Sequence, residues 1–501
     1  MPSTAPRPPM AGTDGPGPSA ARRWWILAVI GLAQLMVVLD ATIVNIALPS
    51  AQHDLGFSDS DRQWVVTAYS LAFGSLLLLG GRLADLMGRK LVFLIGVAGF
   101  ASASALAGAA DSFGMLIIGR ALQGMFGALL APAALSLLNT TFTQARERAK
   151  AFGVYGAIAG TGGAIGLLLG GLLTEHLSWR WTLYVNLGFA ALALAGGAVL
   201  LRRTRRDPGA RLDLPGTLLV SAGLFGVVYG LSNAEPHGWD SVMTWGYLAG
   251  GACLIAAFTA WQTRAVHPLL PLRILLDRDR AASFVAVLVA ASGMFGIFLF
   301  LTYYLQVSRH YSPVSTGLAF LPMIAALIVS AQIAANVTLP RLGPRVVVPV
   351  GLALAAAGMV WLTRIGLDTS YAGYVLPPLL VLGLGLGHVM PPAMNTATAG
   401  VAPNDAGVVS ATVNTMQQVG GSIGTALLNT LATSAATHYL NGRTPTPRVL
   451  AQAQLHSFTT AFWWSAAVFA LGLVCVGALY RTRRATAPAV QDSQQKAAMH
   501  F

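Results

Sequence analysis

Fourteen long apolar runs constrain this chain more than any other feature. They are Trp24–Leu48, Trp64–Gly81, Leu91–Ala110, Phe113–Phe142, Ala151–Leu173, Trp181–Leu201, Leu214–Leu231, Met243–Trp261, Ala281–Leu305, Ser315–Val337, Val346–Gly366, Tyr371–Gly400, Ala406–Ala432 and Phe458–Tyr480. A helix needs about 20 mostly apolar residues to cross the hydrocarbon core of a bilayer. Strands of a membrane barrel need only about 10, and their polarity alternates. The runs here are longer and apolar on every side, which predicts an all-α integral membrane protein with 14 transmembrane helices. Composition agrees: charged residues are 10% of the 501, against roughly a quarter in soluble domains. So little charge excludes soluble, disordered and fibrous classes.

The remaining charge is lopsided, with 31 Lys and Arg against 18 Asp and Glu, a net charge of +13. With the N-terminus in the cytoplasm, the segments on that side carry 24 basic residues and the opposite side carries 6. This is the positive-inside pattern. It calls for an even number of spans with both termini cytoplasmic, and it accounts for the basic balance without nucleic acid. Residues 1–23 read as a disordered cytoplasmic tail, rich in Pro, Gly, Ser and Ala. The apolar run that follows is too long for the roughly 7–15-residue core of a cleavable signal. Usage of 28 Arg but 3 Lys points to a GC-rich bacterial genome, and so to a bacterial cytoplasmic membrane.

The densest basic loop follows the sixth run and divides the chain. Residues 24–201 form an N-terminal six-helix bundle. Residues 202–280 hold the basic loop, a two-helix insert without buried charge, and a linker. Residues 281–480 form a C-terminal six-helix bundle, and 481–501 a cytoplasmic tail. A faint repeat links the two bundles: 81–90 follows the second span of the first, and 339–345 the second span of the last. Pro132 sits in the fourth span much as Pro391 and Pro392 do in the twelfth. Repeated halves around a midplane site are a transporter architecture. Cys253 and Cys475 lie in apolar runs, so no disulfide framework or metal cluster is expected. No P-loop and no catalytic constellation stands out. The expectation is a transporter that is not an enzyme, uses no cofactor and acts as a monomer.

Two charges lie deep inside spans, Asp40 and Arg120. A charge in hydrocarbon is costly, so each must face protein or water. At 1.5 Å per residue both sit about 10–12 Å below the outer surface, at equal depth and with opposite sign. They make a plausible pair. One role is a static tie between two helices. The other is a proton site, because burial disfavours an ionised carboxylate while a neighbouring guanidinium favours it.

Four motifs then occur in order. The first span continues Leu39-Asp-Ala-Thr-Ile-Val-Asn-Ile-Ala-Leu-Pro49. The loop 81–90 reads Gly-Arg-Leu-Ala-Asp-Leu-Met-Gly-Arg-Lys. The fourth span reads Ile118-Gly-Arg-Ala-Leu-Gln-Gly-Met-Phe-Gly127, and Ser178-Trp-Arg-Trp-Thr-Leu-Tyr-Val-Asn186 follows the fifth. Over residues 24–480 the chain resembles the major facilitator superfamily, in particular its 14-span drug:proton antiporters of the QacA/EmrB type. The resemblance implies proton coupling at Asp40 and Arg120. It also implies a conformational latch in the loop carrying Gly81, Asp85, Gly88, Arg89 and Lys90. Leu86 stands where that family has a basic residue, and Pro340 where the C-terminal copy would carry an acid.

The fifth span carries Gly156, Gly160, Gly162, Gly166 and Gly170, so one helix face is bare and a neighbour can approach closely. The family's antiporters have a Gly-Pro signature in this span. Gly163 and Leu167 occupy the expected proline positions. Other polar groups within spans are candidates for a substrate path: Asn45, Gln123, Tyr303, Tyr304, Gln306, His388, Asn395, Asn414 and Gln418. For each alone, hydrogen bonding between helices is the ordinary role. One acid among many Phe, Trp, Met and Tyr side chains suits an amphipathic cargo, monocationic or neutral. The expected partners are that small molecule, protons and the lipid bilayer.

Overall fold

The computed structural model describes residues 20–142, 144–201, 213–266, 268–399, 401 and 406–481. These residues are helical, with turns between the helices, and form no strand. The helices are α1 (Ala20–Leu55), α2 (Gln63–Met87), α3 (Arg89–Gly108), α4 (Phe113–Thr141), α5 (Ala145–His176), α6 (Trp181–Leu200), α7 (Leu214–His237) and α8 (Val242–Gln262). They continue with α9 (Leu272–Leu276), α10 (Arg278–Tyr303), α11 (Pro313–Ile333), α12 (Leu339–Leu342), α13 (Pro344–Leu362), α14 (Leu376–Thr398), α15 (Ala406–Leu440) and α16 (Pro447–Leu479). Three π-helical turns, Tyr304–Ser308, Ala334–Thr338 and Tyr371–Val375, extend α10 and α11 and precede α14. Among the described residues, 11 helices are long and apolar enough to cross a membrane.

Hydrogen bonds between helix ends show the long helices alternating in direction. At the end where α1 begins, Arg22 donates to Leu200 O and Lys90 to Leu201 O. Arg278 at the start of α10 donates to Ala478 O near the end of α16. At the opposite end, Arg180 before α6 donates to Ala110 O after α3, and Tyr304 after α10 to Gly366 O after α13. We call the first end the near face and the second the far face; α1 begins and α16 ends at the near face.

The helices pack in two groups. In the first, α4 packs on α2 and α3, and α1 on α5 and α6. In the second, α14 packs on α11 and α13, and α10 and α13 pack on α16. The groups meet where α2 runs against α15 and α5 against α11. The α7–α8 hairpin leans on α15 and α2 through α7. Small residues set these approaches. A Cβ on Gly124 would lie 2.2 Å from Tyr69 O, and one on Gly80 would lie 2.0 Å from Ala128 O. Helix α4 therefore touches α2 backbone to backbone, the arrangement expected where packing rather than water drives association.

Two turns share one device. Gly88, between α2 and α3, has φ +94°, and Gly343, between α12 and α13, has φ +71°. Only glycine adopts this region without strain. Both lie in the segments that the sequence repeat picks out, each the single non-helical residue after the second long helix of its group. The two-helix insert differs from expectation, because it holds a buried charge at its base. Asp213 caps α7, accepting from Gly216 N at 2.9 Å, Trp261 Nε1 at 2.8 Å and Gln262 Nε2 at 2.7 Å. Burial alone would raise its pKa, but the Gln262, Gly216 and Trp261 donors outweigh burial and lower it. The sequence assigned the acid to a loop because Asp213 stands just before the apolar run.

Two outcomes follow. Gly124→Leu forces α2 and α4 apart, and overpacking of this kind costs about 1–3 kcal/mol. Its melting temperature in detergent falls below wild type, while Gly114→Ala, where a Cβ meets nothing within 4 Å, leaves it unchanged. For Asp213, a lowered folded pKa means its contribution is complete above the unfolded value and disappears as pH falls through the folded one. Wild type therefore loses more stability than Asp213→Asn between about pH 5 and pH 3, as thermal melts across that range will report.

Candidate functional site: a buried acid and its network

Helix α1 carries Asp40 into the interior of the first group. Its side chain is 0% exposed, and that of Arg120 is 2%. Arg120 Nη1 donates to Asp40 Oδ2 at 2.6 Å. Asp40 Oδ1 accepts from Gln123 Nε2 and from Asn186 Nδ2, both at 2.8 Å. Gln123 Nε2 also donates to Ser104 Oγ at 2.7 Å, and Arg120 Nη1 to Gln123 Oε1 at 2.9 Å. Arg120 Nε donates to Val65 O at 3.0 Å, and the guanidinium lies 4.6 Å from the centre of the Tyr69 ring. Five of the first six helices thus contribute. A charge pair this deep survives because each charged group also has neutral partners; removing one member of such a pair typically costs about 3–5 kcal/mol.

The arrangement corrects part of the sequence reading. Gln123, assigned to a substrate path, is instead a ligand of Asp40. Asn186 and Ser104 belong to the site although neither was named as a site residue. Both are uncharged, and Ser104 stands in an Ala-Ser repeat that reads as packing. The carboxylate of Asp40 bonds to α4 and α6 and, among the described residues, makes no bond to the second group.

The other candidates scatter. Gly162, Gly166 and Gly170 lie against α1: a Cβ would meet Val38, Thr42 and Ile43 respectively. Gly156 and Gly160 lie in the same helix, outside the residues whose surroundings are described. Residues 81–90 are not the loop expected from sequence: Gly81 and Asp85 lie in the last turns of α2, where Gly81 faces Pro132, and Gly88 alone makes the turn into α3. The Asp85 side chain lies outside the described residues, and Arg89 opens α3. Lys90 Nζ donates to Ala198 O at 2.7 Å and Leu201 O at 2.6 Å, capping α6 within its own group rather than reaching the other. Asn45 bonds back to Ala41 O, and Asn414 to Ser410 O. Tyr304 ties the π turn to Gly366 and Thr369 inside the second group, off any path between the groups. His388 bonds to Ser330 across α11 and α14. Asn395 is exposed, and the Cβ of Gln418 faces Gly74 where the groups meet.

Tyr303 and Gln306 do join the two groups, at the far face. Tyr303 donates to Gln52, and Gln306 Nε2 to Ile46 O at 3.0 Å. Arg62, counted from sequence among loop charges, is 3% exposed beside them. Its Nε donates to Asn429 Oδ1 at 3.0 Å, its Nη1 lies 3.5 Å from Asp59, and its guanidinium sits 4.4 Å from the centre of the Tyr303 ring. Glu175 also bridges the groups, accepting from Val314 N at 3.0 Å. The groups are therefore fastened at the far face. A cavity of about 230 Å³ opens beside the clasp, lined among others by Gln52, Arg62, Tyr303 and Phe458.

Comparison with known proteins places this architecture. The sequence pattern of the Major Facilitator Superfamily matches residues 30–425. The chain is 50% identical over 475 residues to a puromycin resistance protein of Streptomyces alboniger, covering 94% of each. It is 39% identical to a cephamycin export protein of Amycolatopsis lactamdurans over 80% of this chain and 83% of that one. It is 35% identical to a tetracenomycin C resistance and export protein of Streptomyces glaucescens, over 86% and 79%. Among solved structures, an auto-inhibited POT family peptide transporter shares the fold, with TM-score 0.68 and 19% identity over 94% of this chain and 99% of that one. A bacterial homologue of the lysosomal transporter Spinster, inward-facing and unoccupied, gives TM-score 0.65 at 15% identity over 92% and 98%. The chain belongs to the Major Facilitator Superfamily: it is a multi-pass membrane transporter related to antibiotic resistance and export proteins, and not an enzyme.

Proposed function

We propose that this transporter is a proton-coupled exporter of antibiotics or similar amphipathic compounds, working by alternating access, with Asp40 as the proton-carrying acid and Arg120 as its partner. The observation that carries the reading is the buried Asp40–Arg120 pair, in which both Asp40 oxygens accept from first-group donors. Protonation of Asp40 removes the negative charge that Arg120 faces. The guanidinium keeps Gln123 Oε1 and Val65 O as acceptors, so the grip between α1 and α4 loosens while that between α4 and α2 persists. A proton thereby changes how α1 sits in its group, and α1 carries Gln52 and Ile46 of the far-face clasp. No cofactor enters; the proton gradient is the drive.

The same reading takes the fourteen long helices as spans in a six, two and six arrangement, with both termini cytoplasmic and the far face outside. The structure then corresponds to a state closed to the outside. Because Asp40 is hydrogen-bonded within the first group, cargo selection falls on side chains where the groups meet, such as Asn414 and Gln418. A monocationic or neutral cargo fits better than a dication, and the protein acts as a monomer. A narrower reading, export of one antibiotic for self-resistance, draws support from the relatives, three of which are named for single compounds.

Everted vesicles loaded by respiration test the reading. Puromycin, or another member of an antibiotic panel, accumulates in them. A protonophore abolishes accumulation, and removing ATP under a sustained gradient does not. Dications from the panel accumulate no better than monocations. Asp40→Asn lowers gradient-driven accumulation at least tenfold while the protein remains in the membrane; full activity in that variant overturns the proton role. Asp40→Asn leaves Arg120 buried without a counter-charge, so it melts lower than wild type. The double variant Asp40→Asn/Arg120→Gln recovers melting temperature but not transport.

A further inference from the structure

We propose that protons reach Asp40 from the far face through the first helix group itself, along a narrow entry between α1, α2, α4 and α6 that Trp179 plugs. This rests on the proton role of Asp40. The alternative entry is the cleft between the two groups.

Three observations point to the entry. First, a small cavity lies on the far-face side of Arg120, walled by Val44, Leu48, Val65, Leu116 and Leu183 and floored by Arg120. About 10 Å³ of it is open to the centre of a water molecule, close to what one ordered water needs. Second, the floor is short of partners. Arg120 Nε and Nη1 are bonded to Val65, Asp40 and Gln123. Nη2 finds no acceptor among the described residues, though the side chain is only 2% exposed. In the same network, though not in the cavity wall, Asn186 Oδ1 and the Tyr69 hydroxyl are buried without a partner among the described residues. Buried donors and acceptors without partners call for water, and a cationic N–H does so most strongly.

Third, the roof is a single side chain with a wet outer surface. Trp179 is 5% exposed and also lines the cavity. Its Nε1 donates to Asp54 Oδ2 at 2.9 Å, and Arg180 donates to the same oxygen. The Arg180 guanidinium lies 4.5 Å from the centre of the Trp179 indole and donates to Ala110 O. Asp54 and Arg180 themselves are 47% and 31% exposed. Solvent thus reaches the Asp54–Arg180 pair that holds the Trp179 indole, and Trp179 and Arg120 both line the cavity beneath. Both oxygens of Asp40 are bonded to α4 and α6.

The transfer balances simply. When Trp179 swings aside, an excess proton from solvent reaches the cavity water as hydronium. It passes to Asp40 Oδ2, one hydrogen bond beyond the cavity floor, as the Arg120 Nη1 bond to that oxygen opens; the water is left neutral and Arg120 keeps all of its own protons.

The test uses the full chain in proteoliposomes of bacterial lipid. After a step to acid on the Trp179 side, rapid-scan infrared difference spectroscopy follows the carboxylic-acid band that Asp40→Asn removes. Ala47→Leu, which fills the cavity, slows the appearance of the band at least tenfold. Trp179→Ala speeds it severalfold. The final amplitude changes in neither. The Ala47→Leu arm is backed by Ala51→Leu at the same wall, and Trp179→Ala remains informative if both filled variants fail to fold. Rates equal to wild type in the folded variants overturn the route and leave the proton role standing. Absence of any Asp40-dependent band overturns the proton role and the route together.

Discussion

The expense of an ionised group inside a bilayer organises this molecule. A membrane interior offers neither water nor counter-ions, so a charge placed there must bring its own solvation. Asp40 and Arg120 do so with a shell drawn from five helices: Ser104 on α3, Gln123 on α4, Asn186 on α6 and the Val65 carbonyl on α2 surround the pair. Those helices cannot rearrange freely without exposing a charge. The first group therefore behaves as a unit held from within. The second group, which contains no comparable pair among the described residues, is held by apolar packing and by small residues such as Gly385 against Ala355.

A second set of polar contacts works at the boundary between the groups. Arg62 is enclosed by Asn429, Tyr303 and Phe300, all from the second group. An Arg over aromatic faces keeps favourable contacts in more than one position, because cation–π attraction varies gently with geometry. A clasp built this way holds the far face closed yet opens without stranding a charge, since Asp59 lies on the same side of the boundary as Arg62. The internal pair is tight and many-sided, whereas the clasp is looser and one-sided. The contrast suits a protein whose groups stay intact while the contact between them is made and broken.

Much of this was legible in the sequence. The apolar runs coincide with the long helices because the bilayer leaves helices few alternatives. Asp40 and Arg120 stood out because charge within a span is rare, and their equal depth anticipated the contact. The glycine stripe of α5 was legible as a bare face, although only the structure shows that α1 fills it. What escaped notice was uncharged or sat at a boundary. Asn186 and Ser104 carry no signal that separates a ligand of a carboxylate from ordinary helix packing. Arg62 and Asp213 lie one or two residues outside apolar runs, where sequence reads solvent and the fold supplies neighbours. Lys90 matched a latch motif by position, but its reach to the end of α6 depends on how α3 and α6 lie together, which no local pattern encodes.

The absence of side chains where α2 meets α4 has a mechanical meaning. At Gly80 and Gly124 nothing separates the two backbones, so neither helix slides or rolls against the other without collision. They form a two-stranded rod. One strand carries Arg120 at the acid; the other carries Arg62 at its far tip and ends on the Gly88 turn at its near tip. The two helices are fixed side by side at these two points, with glycine serving as the weld.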